Sequence, residues 1–501
     1  MTRPNANTRP EELPSGDYQN AVDYLYRRIN YEKLGLTRAA QYPFRLQRME
    51  ELFKALGLQD LLYQELDSDT GSNPQIVRAQ DSPAIIHIAG TKGKGSTASL
   101  LASACTESGF RTGLYTSPHL NHLEERFQVD GNQCNQEQFV KLVEAVRDAA
   151  ERIEPEHGNA TFFEFTTAMA MLYFTQSQCE IIVAEVGLGG RLDSTNVLKP
   201  TVSVITSIGL DHQHVLGDNI ESIAKEKAGI IKSVAPVVSG VEQQEAKRVV
   251  QSRCQEHETL CFQLGTDFHF RAVQQAEWGS EIELIGQSSP LPEQLQFSLA
   301  MEGEHQAKNA AVAAVAYCLL KDFLESSDLA ARKGHPCKTI SEQSWAKAVA
   351  ETQAPARLER FVLPNGMTII LDASHNEDSI RALVDSLHRR DASQKLVTIF
   401  GTSQDKDAAK MVEILKEMNG PMVLTEFQTN PRRLTSENLL RLLPEEKKLS
   451  AHVVRPPLQA CQYGMKLAEE AEATLVICGS FFLAAETRDW VITQSATNDL
   501  D

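Results

Sequence analysis

From residue 84 onward, short apolar runs alternate with longer amphipathic stretches. AIIHIAG (84–90), RTGLYTS (111–117), EIIVAEVG (180–187), TVSVITSIG (201–209) and APVVSG (235–240) are apolar on both faces, and segments with helical spacing such as STASLLASACTESG (96–109) separate them. Strands buried on both faces and alternating with helices predict a parallel sheet covered by helices on each side, an α/β fold. Upstream, YLYRRINYE and RLQRMEELFKALG place apolar residues three and four apart, so residues 18–58 read as helical, behind a polar leader of about residues 1–16. Residues 268–297 alternate in character and predict a few appended antiparallel strands, followed by an Ala-rich helix near residues 309–320. Residues 327–356 are polar and read as irregular. A second α/β pattern starts at MTIILDASHN and continues through KLVTIFG, PMVLTEF and TLVICGS.

This pattern predicts four parts: helices packed on a first domain (1–80), an ATP-binding domain (81–352), a linker (353–359) where a proline interrupts the QAPARLE segment, and a smaller Rossmann-like α/β domain (360–501). Repeats of 20–50 residues are not visible. The longest conspicuous apolar run, residues 310–320, is too short for the roughly 20 residues that span a bilayer. The polar N-terminus lacks the apolar core of a secretion signal, so a cytoplasmic location is expected. Nine cysteines, scattered without a C-x-x-C pair, predict reduced and mostly buried thiols. With 49 basic against 67 acidic residues the net charge is −18, so bulk attraction to nucleic acid is not expected and an anionic substrate needs a local positive site.

Such a site is visible in HIAGTKGKGSTASLL. A buried strand ends at Ala89, a glycine-rich turn runs from Gly90 to Gly95, and a helix opens at about Ser96. Bared backbone N–H groups and the helix N-terminus cradle phosphate oxygens, and Lys94 adds a point charge. The spacing departs from the Walker A pattern: two residues separate Gly90 from Gly93, and Gly95 intervenes between Lys94 and Ser96. EVGLGGRLD is not a dinucleotide fingerprint, because the residue due as the third glycine is Leu192. Glu185, ending an apolar strand, is either a magnesium-directed acid or a solvated strand-end carboxylate.

In order along the chain, GTKGKGS, TSPHL (116–120), TFFEFTTA (161–168), EVGLGGRLDSTN (185–196), SIGLDHQHVLGDNIESIAKEKAGIIK (207–232), HQAKNAAVA (305–313), LDASHNEDS (371–379) and CGSFFL (478–483) resemble the folylpolyglutamate synthase and dihydrofolate synthase family of Mur-type ATP-dependent amide ligases. The motifs span about four fifths of the chain. The resemblance implies ligation of L-glutamate to a reduced folate through an acyl phosphate made from ATP, with the use of dihydropteroate as a further acceptor left open. It implies one or two magnesium ions and no organic redox cofactor; from the acidic charge and the short apolar runs no nucleic-acid or membrane partner is expected, and a monomer is the default expectation. By the same resemblance Gly93, Lys94, Gly95 and Ser96 cradle the ATP phosphates, Asn309, Arg357 and Asp372 contact the nucleotide, and Ser117, Glu185 and His212 hold a magnesium ion. Lys227 is implied to be carbamylated. Read from the residues alone, His212 is a polar loop residue and Lys227 an unmodified cation paired with an acid or phosphate.

For the acyl substrate the resemblance points to Thr161, Phe162, Phe163, Glu164, Leu192, Asp193 and Ser194. The two phenylalanines would flank a flat pterin while Glu164 or Asp193 accepts its N–H groups; the same residues also read as core side chains and a helix-start acid. His375 and Ser480 are candidates for placing glutamate or the phosphoryl group, although the motif is DASHNE here where DGAHNP is commoner in the family. The N-terminal INYEKLGLTRAAQYPFRLQRM segment also departs from the family's pterin-loop pattern. Two alternatives remain open at this stage: another Mur-type ligase, and a catalytically silent nucleotide-binding relative.

Overall fold

The computed structural model describes residues 16–28, 46–63, 82–210, 213–233, 235–275, 278–326, 338 and 340–496. Within them the alternating pattern folds into three sheets. The first contains β1 (Ala84–Ala89), β2 (Thr112–Tyr115), β3 (Phe127–Val129), β4 (Asn132–Gln133), β5 (Ile181–Glu185), β6 (Val202–Ile205), β7 (Val237–Ser239) and β8 (Cys261–Gln263), in the order β4-β3-β2-β5-β1-β6-β7-β8. It is parallel from β2 to β8, and the β3–β4 hairpin adds an antiparallel edge. β1 and β5 are buried at every position, which is why their sequences are continuous apolar runs rather than alternations.

Helices cover both faces. One face carries α1 (Gly16–Tyr26), α2 (Leu46–Ala55), α4 (Gln136–His157) and α5 (Phe162–Gln176); α3 (Lys94–Glu107) packs on the other. The helical expectation for residues 18–58 falls on α1 and α2; residues 29–45 and the leader 1–15 lie outside the described residues. α6 (Ile220–Ala228) and α7 (Gln244–Glu256) close the β7–β8 end around a small core of their own. The Ala-rich helix is longer than expected: α8 runs Glu304–Ser326, and its small side chains let it lie tightly on α3.

Strands β9 (Phe268–Gln274), β10 (Ser280–Gly286) and β11 (Leu295–Leu299) form the expected antiparallel appendage. Part of the stretch read as irregular is a helix, α9 (Glu342–Glu351), because Ser341 caps it and Trp345 anchors it with no exposed surface. The third sheet holds β12 (Glu359–Val362), β13 (Thr368–Leu371), β14 (Leu396–Phe400), β15 (Met422–Leu424), β16 (Ala451–Val453) and β17 (Thr474–Cys478), in the order β12-β13-β17-β14-β15-β16. It is parallel except for β12. α10 (Glu377–Arg390) follows β13, and α11 (Phe481–Ala496) follows β17. No described helix is long and apolar enough to cross a membrane.

Candidate active site at two facing sheet edges

In a parallel sheet the loops that leave the carboxyl ends of the strands converge, and ligands bind there. Here the loops after β1, β2, β5 and β6 carry Gly93–Ser96, Ser117, Glu185 and Thr206–Ser207. β1 and β5 are neighbours, with Ile88 in register with Glu185, so the glycine loop and the acid emerge side by side.

The loop is tighter than the sequence suggests. α3 begins at Lys94, two residues before the expected start, because Gly93 enters the left-handed region (φ 86°) as its N-cap. A Cβ on Gly93 would lie 2.2 Å from Asn309 Oδ1, so the glycine is what allows Asn309 of α8 to reach the loop. Thr206 and Ser207 hydroxyls both donate to the Lys92 carbonyl (2.7 and 2.9 Å), and Lys227 Nζ donates to the Gly90 carbonyl (2.9 Å). Ser96 is buried in the first turn of the helix. Loop N–H groups, the α3 N-terminus and Lys94 are groups of the kind that can cradle phosphate oxygens.

Glu185 is buried beside the loop. Its Oε1 lies 3.8 Å from Lys94 Nζ, and its Oε2 accepts from the Ser117 N–H (3.1 Å). Burial holds this carboxyl above the usual range, while Lys94, the Ser117 N–H and Arg357 pull it back. The Glu185 carboxylate, with the Ser117 backbone bonded to it, is a hard oxygen donor of the kind that suits a magnesium ion completed by phosphate and water. Among the described residues no three His, Cys, Asp or Glu side chains gather as a metal cluster; His212 lies outside them. Asn219 caps α6, which carries Lys227 into its buried position.

Across the cleft, the carboxyl edge of the third sheet supplies Asp372, His375 and Ser480. Asp372 accepts from the Leu358 N–H (2.7 Å) and the Ser374 N–H (2.8 Å), which ties the linker to the loop after β13. Arg357 is exposed, and both flanking residues, Ala356 (φ 52°) and Leu358 (φ 49°), are non-glycine residues in the left-handed region. Strain of this kind persists only where surrounding bonds impose it, and here the Ala356 N–H donates to Glu359 (2.8 Å) and the Leu358 N–H to Asp372 (2.7 Å). His375 Nδ1 donates to the Ala373 carbonyl (3.0 Å), which puts its proton on Nδ1, and Asn376 caps α10 in a box with Ser379. Ser480 is buried, and its Oγ accepts from the Phe482 N–H (3.1 Å).

The residues expected to hold the acyl substrate divide. Phe162 is core: it stacks on Tyr26 (5.7 Å, 7°) under the Arg126 guanidinium (5.2 Å). Phe163 is half-buried and lies flat on Gly187, where a Cβ would come within 2.3 Å of the ring. Thr161 is the N-cap of α5, and its N–H donates to Glu164 Oε2 (2.7 Å). Glu164 also takes Arg48 Nε (2.9 Å) and Nη2 (2.9 Å), so the structure engages this carboxylate with protein donors. Asp193 accepts from the Leu188 N–H, the Thr195 N–H and the Thr195 hydroxyl; Leu192 beside it is half-buried and Ser194 buried.

Two residues here were missed from the sequence. Arg48 pairs with Glu164 across 116 positions, which no local pattern reveals. Arg126 is fully buried, and its Nε donates to His119 Nδ1 (2.8 Å), leaving His119 Nε2–H for the Tyr26 hydroxyl (3.2 Å). An arginine ending the LEER run just before a strand was the available signal.

Residues 88–317 match the Mur ligase middle domain, and residues 356–481 match the Mur ligase glutamate ligase domain. The chain is 32% identical to folylpolyglutamate synthase of Lacticaseibacillus casei over 409 residues, covering 81% of this chain and 90% of that one. It is 30% identical to dihydrofolate synthase/folylpolyglutamate synthase of Bacillus subtilis, with 84% and 88% covered. The structure of Escherichia coli FolC in complex with DHPP and ADP superimposes with a TM-score of 0.73 at 25% identity, covering 96% of this chain and 98% of that one.

Proposed function

Since the chain belongs to the folylpolyglutamate synthase and dihydrofolate synthase family of Mur ligases, we propose that it joins L-glutamate to reduced folate at the cleft described above, with dihydropteroate as a second acceptor. It is an ATP-dependent acid–amino-acid ligase. The observation that carries the site assignment is the buried Glu185 carboxylate 3.8 Å from Lys94, beside the glycine loop that leads into the N-terminus of α3.

ATP phosphorylates the acceptor carboxylate, and the glutamate amine then displaces phosphate through a tetrahedral intermediate. The chain must align the phosphates, balance charge spreading onto the transferring group, and keep water from the acyl phosphate. Gly93, Gly95 and Ser96 cradle the phosphates, Lys94 balances their charge, and Asn309 steadies the loop against the nucleotide. Glu185 and Ser117, with His212 as the resemblance implies, would hold a magnesium ion that neutralises phosphate charge. Arg357 and Asp372 approach the nucleotide from the second domain, and His375 lies near the glutamate side. Phe163, with Thr161 and residues 192–194, forms the acyl-substrate wall. Carbamylation of Lys227 would replace its bond to Gly90 with an anionic ligand; peptide mass with and without bicarbonate tests it.

Purified enzyme with ATP, magnesium and glutamate should release phosphate with tetrahydrofolate and with dihydropteroate, each product gaining one glutamate in mass. Release with tetrahydrofolate alone would confine the enzyme to tail extension. Release with neither would move the reading to another ligase substrate.

A further inference from the structure

β1 is apolar at every position except His87, which is fully buried at the centre of the sheet, paired between β5 and β6. Its Nε2 lies 2.8 Å from Thr195 Oγ1, and that hydroxyl lies 2.6 Å from Asp193 Oδ1. A carboxylate only accepts, so Thr195 spends its single proton on Asp193 and accepts from His87. His87 therefore carries its proton on Nε2, while Nδ1 has no hydrogen-bond partner among the described residues. Burial pushes the imidazole down to about 3, which keeps it neutral at physiological pH.

An aliphatic residue would fill this strand position without stranding a polar nitrogen. What the imidazole provides lies at the other end of the hydrogen bonds. Asp193 Oδ1 also accepts from the Thr195 N–H (3.0 Å), and Oδ2 accepts from the Leu188 N–H (2.9 Å), so one carboxylate pins both ends of the loop that leaves β5. The same loop presents Gly187 to the ring of Phe163.

We propose that His87 is a positioning residue for the acyl-substrate wall: its Nε2–H, donated to Thr195 Oγ1, holds that hydroxyl in place against Asp193 and so seats the loop of residues 187–196 against Phe163. This rests on the reading of Phe163 and residues 192–194 as that wall. Nothing in it depends on contact between His87 and a ligand.

The test is steady-state kinetics on the full chain, with KM measured separately for the folate acceptor, glutamate and ATP. His87→Leu and Thr195→Val should each raise the acceptor KM about tenfold, with kcat and the ATP KM within about twofold, the scale of one buried hydrogen bond. His87→Gln, whose amide restores an N–H donor, should return the acceptor KM to near the starting value. Equal acceptor KM values for the Leu variant and the unaltered enzyme would overturn the proposal, as would a Gln variant no better than Leu. Should the Leu variant not fold, the ring nitrogens of 15N-histidine-labelled enzyme decide: an Nε2–H pattern, assigned by its loss in His87→Gln, supports the proposal, and an Nδ1–H pattern overturns it. Asp193→Asn separates the two levels. If it leaves the acceptor KM unchanged, the substrate-wall reading fails, even where the tautomer is as stated.

Discussion

Glu185 shows how one side chain trades stability for chemistry. Burial raises its folded-state carboxyl above the ordinary value of 4.5, so the folded chain binds a proton more tightly than the unfolded chain. Stability contributed by this group therefore falls as pH rises through 4.5 toward the raised value, and stays lower above it. Glu185→Gln should melt higher than the unaltered enzyme at pH 7 to 8 in thermal scans without ligand, with the gap closing below the ordinary carboxylate range. The same variant should lose at least about a hundredfold in turnover and need more magnesium; an unchanged metal profile would remove it from the metal site. Lys94→Ala should abolish phosphate release and, because it leaves the buried Glu185 without its nearest cation, should also lower the melting temperature. Near-normal turnover would take Lys94 out of the phosphate site. Gly93→Ala meets two obstacles, a φ of 86° and an Asn309 oxygen 2.2 Å away, and should weaken ADP binding about tenfold or more by calorimetry.

At the scale of elements, what the sequence made legible was what repeats. β1, β5 and β17 are buried on both faces, so their apolar runs announced them; α9 was hidden because Trp345 is its one large buried side chain inside a polar stretch. The phosphate loop was legible because its glycines and lysine are contiguous. The residues proposed for the acyl substrate were harder, since composition does not say whether a carboxylate faces a ligand or its own protein. Glu164 shows the difference: its oxygens are taken by Arg48 and the Thr161 N–H, and it fastens α2 to the start of α5. Arg48→Met would leave Glu164 buried without its partner, and should cost about 3–5 kcal/mol in urea unfolding. Arg48→Met combined with Glu164→Gln should recover part of that loss. A double variant as unstable as the single would show that Arg48 acts through packing rather than through the pair.

At the scale of the whole molecule, the two large sheets meet through contacts of unequal strength. On the cleft side Lys92 pairs with Asp378 (3.2 Å) and Arg389 with Glu304 (2.8 Å), all well exposed and so worth little and screened by salt. Away from the phosphate loop, Glu302 is 3% exposed. It accepts from Arg390 Nε (2.9 Å) and Nη2 (2.5 Å) of α10, while Gln274 Nε2 and the Gly279 N–H fill its other positions. Trp278, on the same side, lies between the Arg390 guanidinium (4.7 Å) and that of Arg360 (5.4 Å) and packs on the core of the third sheet. With exposed pairs at the cleft and a buried, stacked contact behind it, the coupling between the two sheets should rest mainly on Glu302, Arg390 and Trp278. Glu302→Gln removes the charge that Arg390 needs in a largely dry site, whereas Lys92→Ala removes only an exposed pair. In calorimetry the unaltered enzyme and Lys92→Ala should each unfold in one transition, and Glu302→Gln should split into two, because the domains no longer stabilise each other. A single, merely lowered transition for Glu302→Gln would place the coupling elsewhere in the interface, and a split for Lys92→Ala would put it at the cleft.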